Sequence, residues 1–391
     1  MVESAKTLPD RAKWTFSLGF RRLLLAILCA AVAASVFWSA AHWSERRGVF
    51  DDIGYLRQAH LFQRFGLGGF DTDIRRDDDH FFRDAAAEVS ALVWNDPNRP
   101  ITHTFIPKRD TWVLQYPPGT GALLAVFPEG RQVAGLYISA TLVVLLAACA
   151  LIFRARSTLV LSACGLFGVL SVYMMVNPAK ASYSAAPSLA ICALLGLLTP
   201  RLFASAGATR LAAAALIGLL VGLSANLRIA NILLAGGFGF GCLLELLHAR
   251  FGRFKSETVL VGLGILAGVV PTLAANWINV GSPLSTTYSS VDASPPDWTF
   301  SSALYYLTNT QGILLVVGLA AAIVLHVRAP ARRTRIAAQV AIVNSLINAA
   351  FFFTHQLYTP YYLMPGVMLS LWIVLAASVD AEREPLAVQG V

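Results

Sequence analysis

Two carboxylates stand side by side, Asp51 and Asp52 in RRGVFDDIGYLRQAHLF, directly after the first apolar run of the chain. Adjacent carboxylates near a low-dielectric boundary push each other's pKa values apart, and the one that stays ionised can take the proton of a hydroxyl. A second reading needs no reaction: Asp51 caps a helix and Asp52 complements its dipole, worth about 1 kcal/mol. Two cations fall at the ends of apolar runs, Arg228 between Asn226 and Asn231 and Lys180 in NPAKASYS. A charge there is costly unless it is paired or snorkels to lipid phosphates. Asp71, Asp73, Asp77, Asp78, Asp79 and His80 supply enough oxygen ligands for a hard divalent cation. Arg75, Arg76 and Arg83 interleave with them, so the expectation is a solvated mixed-charge loop, with no metal assigned.

The elements that must position these groups follow from composition. Of 391 residues, 56% are apolar and 13% charged, against about 25% charged in soluble domains. Mean hydropathy is +0.62, and the chain reads as a membrane protein. Its net charge of +8 is dispersed over short loops, without the single patch or stripe that nucleic acid needs. The five cysteines, Cys29, Cys149, Cys164, Cys192 and Cys242, all sit in apolar runs without CxxC spacing, which implies neither disulfides nor zinc. Apolar runs of about 17 to 22 residues predict about ten transmembrane helices, centred near 32, 143, 167, 190, 216, 238, 267, 319, 345 and 370. The first run, following Arg21 and Arg22, is long enough to be a retained span instead of a cleaved leader.

Basic residues set an orientation. Lys6, Arg11, Lys13, Arg21 and Arg22 precede the first span, and alternate loops hold Arg154 and Arg156, Arg201 and Arg210, Arg250 and Arg253, and Arg328 to Arg335. Those loops are expected to be cytoplasmic, with both termini: an N-terminal segment 1–22, a transmembrane domain 23–380 and a tail 381–391. Two longer segments, 43–132 and 279–310, then lie outside and hold 15 of the 22 acidic residues. A 90-residue external segment argues for chemistry or recognition on that side. Within it, residues 51–65 predict an amphipathic helix on the membrane surface, with Leu56, Ala59 and Phe62 on one stripe and Arg57 and Arg64 pointing elsewhere.

Four motifs carry a resemblance. Asp51-Asp52-Ile53-Gly54-Tyr55 follows the first span, YPPGTGALLA begins at Tyr116, NWINVGSPLSTTY begins at Asn276, and HQLYTPYYLMPGVML enters the last span at His355. Together they resemble the GT-C membrane glycosyltransferases, in the style of protein O-mannosyltransferases and lipid A aminoarabinose transferases. The resemblance implies an all-α polytopic fold with a partly helical external cap. It also implies an inverting transfer of one sugar from a polyprenyl-phosphate donor. By position, Asp51 would be the base, with Asp52 its neighbour and Tyr55 on the same helix; Asp52 stands where Glu is frequent. A cation must then stabilise the leaving phosphate, for which Arg228 and secondarily Lys180 qualify. Tyr116, His355, Gln356, Tyr358, Tyr361 and Tyr362 could bind sugar or phosphate oxygens, or belong to an interfacial aromatic belt.

The expected partners are therefore a polyprenyl-phosphate-linked sugar, membrane lipids, and a glycan, lipid or protein acceptor. Some members of the family need a divalent cation and others do not. The expected location is a bacterial inner membrane with the site extracytoplasmic. A lipid-linked sugar transporter or flippase, using Arg228 and Lys180 without bond chemistry, is the opposing reading. A polymerase of surface polysaccharide is the third.

Overall fold

The computed structural model describes residues 17–45, 50–89, 100, 102–175, 182–248, 255–288, 295–299, 301–355, 357–359 and 361–383. In chain order these form α1 (Leu18–Ala41), α2 (Phe50–Phe65), α3 (Phe81–Val89), a hairpin of β1 (His103–Ile106) and β2 (Thr111–Leu114), and α4 (Gly119–Leu124). There follow α5 (Gln132–Arg154), α6 (Thr158–Met174), α7 (Ala185–Ala204), α8 (Gly207–Leu227), α9 (Ala235–His248) and α10 (Lys255–Val280). The chain continues through α11 (Ser301–Leu307), α12 (Thr310–Arg328), α13 (Arg332–Thr354) and α14 (Met364–Ala381). Among the described residues, eight helices are long and apolar enough to cross a membrane, and the chain is a multi-pass membrane protein. Two shorter apolar helices, 158–174 and 229–244, stand at two further positions where spans were expected. The all-α expectation needs one amendment, since the first long inter-span segment carries an antiparallel hairpin in which His103 faces Leu114.

Helices approach where side chains are small, as they must when lipid supplies no hydrophobic drive between them. The α8–α10 pair is the closest example. A Cβ on Gly218 would lie 2.2 Å from the Val261 carbonyl oxygen, and one on Gly222 2.4 Å from that of Ile265. Reciprocally, Gly264 and Gly268 face the Ala215 and Leu219 carbonyl oxygens at 2.7 and 2.6 Å. Two glycines four apart on each helix thus press backbone against backbone. Pro271 interrupts α10 just beyond this seam. Asn226, one residue from the end of α8, repairs the break: its Oδ1 accepts the Thr272 N–H (2.9 Å) and its Nδ2 donates to the Gly268 carbonyl (2.6 Å). Those two backbone groups are the helix partners that the proline ring separates.

α14 is enclosed along nearly its whole length by α7, α12 and α13. Gly196 of α7 meets Trp372 of α14. Asn344 of α13 donates to the Gly366 carbonyl (2.7 Å) and to Ser370 Oγ (2.8 Å), joining α13 to α14. α1 and α10 are peripheral and expose leucines and valines, such as Leu24, Ile27, Leu263 and Val270, as lipid-facing helices do.

The segment after α1 corrects one expectation. α2 does not lie on a surface: Asp52 to Ala59 and Leu61 are all buried beneath α4 and the 66–86 stretch. Arg57 is 1% exposed, not outward-pointing. Its guanidinium donates to the Thr72 carbonyl (2.9 Å), the Asp73 carbonyl (2.8 Å) and His103 Nε2 (2.6 Å), and burial pushes its pKa down to about 10. The acidic cluster downstream is spent on local partners. Asp73 binds Arg75, Asp78 and Asp79 bind Arg64, and Asp77 accepts the Phe82 and Arg83 N–H groups that start α3. Among the described residues no three His, Cys, Asp or Glu side chains converge as metal ligands.

Gly222→Val is expected to lower unfolding stability by about 1–3 kcal/mol through overpacking, whereas Gly239→Ala, with open space around its Cβ inside α9, should cost nothing and add up to about 1 kcal/mol through helix propensity. Thermal unfolding in detergent reads both. Asp73 yields a pH dependence. Burial alone would raise its pKa, but hydrogen bonds from Arg75 and Thr111 outweigh this and hold it at about 2. A carboxyl lowered by folding stabilises above its unfolded pKa of about 3.8, and that gain is lost as pH falls through about 2. The stability gap between wild type and Asp73→Asn should therefore be constant from about pH 7 to 5 and close between about pH 4 and 2.

Candidate functional site

α2 begins at Phe50, which places Asp51 and Asp52 in its first turn, where the helix dipole favours carboxylates. Successive residues on a helix point about 100° apart, and the pair divides accordingly. Asp52 is buried, and its Oδ1 accepts the Tyr183 N–H at 2.9 Å, tying the start of α2 to the segment before α7. The Tyr183 hydroxyl in turn donates to the Glu45 carbonyl, while the Glu45 carboxylate, its pKa raised by burial, accepts the Val133 N–H at the start of α5.

Asp51 takes the other direction. Its Oδ1 accepts the Tyr116 hydroxyl at 2.8 Å and its Oδ2 accepts that of Tyr361 at 3.5 Å. The Arg228 guanidinium lies 3.7 Å from Oδ2, with the Arg228 side chain 8% exposed and that of Asp51 23% exposed. Arg228 also lies over the rings of Tyr362 and Tyr361, 3.9 and 4.6 Å from their centroids, an arrangement that stabilises a partly desolvated cation. The carboxylate is thus the member of the pair that solvent reaches.

Around this pair stands a set of phenols. Tyr55, one turn along α2, sets its ring 4.9 Å from that of Tyr116, and Tyr288 meets Tyr116 edge-on at 6.3 Å. Burial raises the pKa of Tyr55, Tyr116, Tyr288 and Tyr361, and the charge of Asp51 raises each further. All four stay protonated at neutral pH, so Tyr116 and Tyr361 donate and Asp51 accepts.

Glycines bring the elements this close. Gly54 leaves room for Tyr116, whose ring carbons would sit 3.0 Å from a Cβ at that position. In the PPGTG stretch, Gly119 lies against the Asn226 backbone and Gly121 against Gln58, both at 2.7 Å from a would-be Cβ. The short helix α4 therefore wedges between α2 and α8 and carries Asp51 to Arg228. Arg228 itself follows the last turn of α8, whose direction Asn226 and the glycine seam set. Asn231 fixes the next turn through Ser188 Oγ (2.9 Å) and the Ser224 carbonyl (3.0 Å). The third motif contributes support as well: Asn279 accepts from the Thr72 N–H and hydroxyl at 3.0 Å.

An apolar groove of about 550 Å³ opens beside the same place. Asn226 and Leu227, the residues before Arg228, form part of its wall, with the exposed Leu123, Val126, Leu194 and Leu223. A polar end and a greasy flank thus adjoin at one helix terminus.

Of the residues singled out from sequence, the structure brings Asp51, Tyr55, Tyr116, Arg228 and Tyr361 together. Asp52 adjoins them but faces Tyr183. His355 stacks on Phe351 and bonds its carbonyl at the end of α13, and Tyr358 pairs with Ser301 and the Tyr305 ring of α11, so both are occupied away from Asp51. Lys180 and Gln356 lie outside the described residues. Tyr362, also singled out from sequence, lies under Arg228, and Tyr288 joins the cluster without having been assigned to it. The available signal was that each of the four motifs carries a tyrosine. No protein-family model matches the chain, and no curated protein is significantly similar to it.

The Asp51–Arg228 contact is tested by a double-mutant cycle. Asp51→Asn and Arg228→Gln should each destabilise, because each strands a partly buried charge, and the double variant should recover about 1–3 kcal/mol relative to their sum. Thermal or denaturant unfolding in detergent measures it, and strict additivity would show that the two groups do not interact.

Proposed function

We propose that the chain is an inverting membrane glycosyltransferase of the GT-C kind. It moves a sugar from a polyprenyl-phosphate donor to an acceptor hydroxyl on the extracytoplasmic side of a bacterial inner membrane. One observation carries this reading: a solvent-reachable carboxylate lies 3.7 Å from a buried guanidinium, and the two residues before that arginine line an apolar groove. These are the three things the transfer needs, namely a proton acceptor, a counter-charge for a leaving phosphate, and a greasy channel for its tail.

The donor's phosphate competes with Asp51 for Arg228, and its first isoprene units lie along the groove past Leu227 and Leu223. Once the phosphate occupies the guanidinium, Asp51 is released to face the acceptor. The acceptor oxygen attacks the anomeric carbon as Asp51 takes its proton. The bond from that carbon to the phosphate oxygen breaks, its electron pair stays on the phosphate, and Arg228 balances the added charge. A single displacement inverts the anomeric centre. Tyr116 and Tyr361 hold the carboxylate by hydrogen bonds that survive the departure of Arg228.

The ten-span layout belongs to the same reading. With α6 and α9 counted as short spans, the arginine-bearing loops alternate to one side and both termini share it. A flippase would use Arg228 and the groove and would need Asp51 only as a helix cap and resting counter-charge, and a polymerase would make the same bond repeatedly. Purified protein with donor and acceptor in detergent separates the three. Free polyprenyl phosphate should be released, with a single sugar added. Asp51→Asn should slow release by at least about 100-fold while donor binding persists. Wild-type release by Asp51→Asn would remove the base from the mechanism, and no release by wild type would favour transport.

A further inference from the structure

The opposite end of the bundle holds a second cavity, of about 450 Å³, between α9, α12 and α13. Its polar lining is Arg332, Arg335, His326 and Gln339, and Leu244 and Val327 form apolar walls. α13 runs 23 residues from Arg332 to Thr354, which sets this cavity about 33 Å from the end that leads to Tyr361 and Asp51. It is a separate site.

Its charge is one-sided along the connecting segment. HVRAPARRTR, residues 326–335, contains four arginines and one histidine and no acid. His326 Nδ1 lies 3.4 Å from the Arg335 carbonyl oxygen, which links the end of α12 to the first turn of α13. Beside the cavity the surface is apolar: Val327, Leu243 and Leu247 are exposed, as side chains against acyl chains would be. Guanidinium groups favour phosphate oxygens, and a basic hollow at a helix end with a greasy flank matches a charged headgroup joined to lipid chains.

We propose that this cavity binds the phosphate headgroup of an anionic phospholipid, with Arg332 and Arg335 contacting the phosphate, Gln339 the glycerol oxygens, and the acyl chains lying along Val327 and Leu247. A free phosphate would satisfy the arginines and leave the flank unused. A zwitterionic lipid would bring its own cation to a cavity already positive.

The probe is phosphatidylglycerol, titrated into the purified full chain in detergent beside phosphatidylcholine and inorganic phosphate, with bound species counted by native mass spectrometry. Phosphatidylglycerol should bind in preference to phosphatidylcholine. Arg332→Gln with Arg335→Gln should weaken it by about thirtyfold. Arg328→Gln with Arg333→Gln, on the same segment but outside the lining, should leave it unchanged. Gln339→Trp fills the cavity and keeps both arginines, so it should reproduce the loss even if the double arginine variant does not fold. Equal binding of both lipids overturns the proposal. So does unchanged affinity in the lining variants, or an equal loss in the control pair. Displacement of phosphatidylglycerol by millimolar inorganic phosphate would reassign the cavity to a free anion and overturn it too.

Discussion

A guanidinium at the edge of an apolar bundle cannot remain there uncompensated, and one end of this protein is arranged around that constraint. Arg228 ends α8 with its side chain 8% exposed. Its compensation comes from parts of the chain far apart in sequence: the carboxylate of Asp51 from α2, and the rings of Tyr361 and Tyr362 ahead of α14. None of these contacts forms unless α2, α8 and the start of α14 meet at one point. The glycines of α4, the glycine seam of α8 with α10, and the Asn226 splice across Pro271 are what allow the meeting. In a medium that gives helices little reason to associate, such close backbone approach and satisfied polar joints supply the association instead.

The two aspartates show how one motif divides its labour. Asp52 gives its acceptor to the Tyr183 amide and anchors α2, while Asp51, one residue earlier and about 100° around the helix, faces the arginine. Replacing the first turn of α2 as a unit would confuse support with chemistry. The same holds for Asn226 and Asn231, which flank Arg228 in sequence yet bond to backbone and serine, setting the direction from which the guanidinium arrives.

The helical positions of the bundle were readable because apolar length is a strong signal in a chain that must satisfy its backbone inside lipid. The meeting of Asp51 with Arg228 was readable in part, since both sit at ends of apolar runs and both need a partner. What failed was the solvent assumption outside the membrane. Arg57 reads as an outward residue on a short amphipathic stripe, but three acceptors, two of them backbone carbonyls of 72 and 73, draw it inside. Those acceptors come from a hairpin and a 3₁₀ turn with no period for a helix-based reading to find. Tyr288 was missed for a related reason: it reaches the cluster through a loop, and loops carry no periodicity that assigns a face.

Under the proposed reaction, the resting geometry has a further consequence. At rest Asp51 is the counter-charge of Arg228 at 3.7 Å, so a donor phosphate must displace it from the guanidinium. The incoming phosphate carries the charge that takes the arginine away. Donor binding and release of the base then become one event, driven by exchange of one anion for another on the same cation. The buried phenols make this exchange workable, because Tyr116 and Tyr361 keep donating to Asp51 after the arginine has turned to the phosphate, and the carboxylate is never left without partners at the boundary of the membrane.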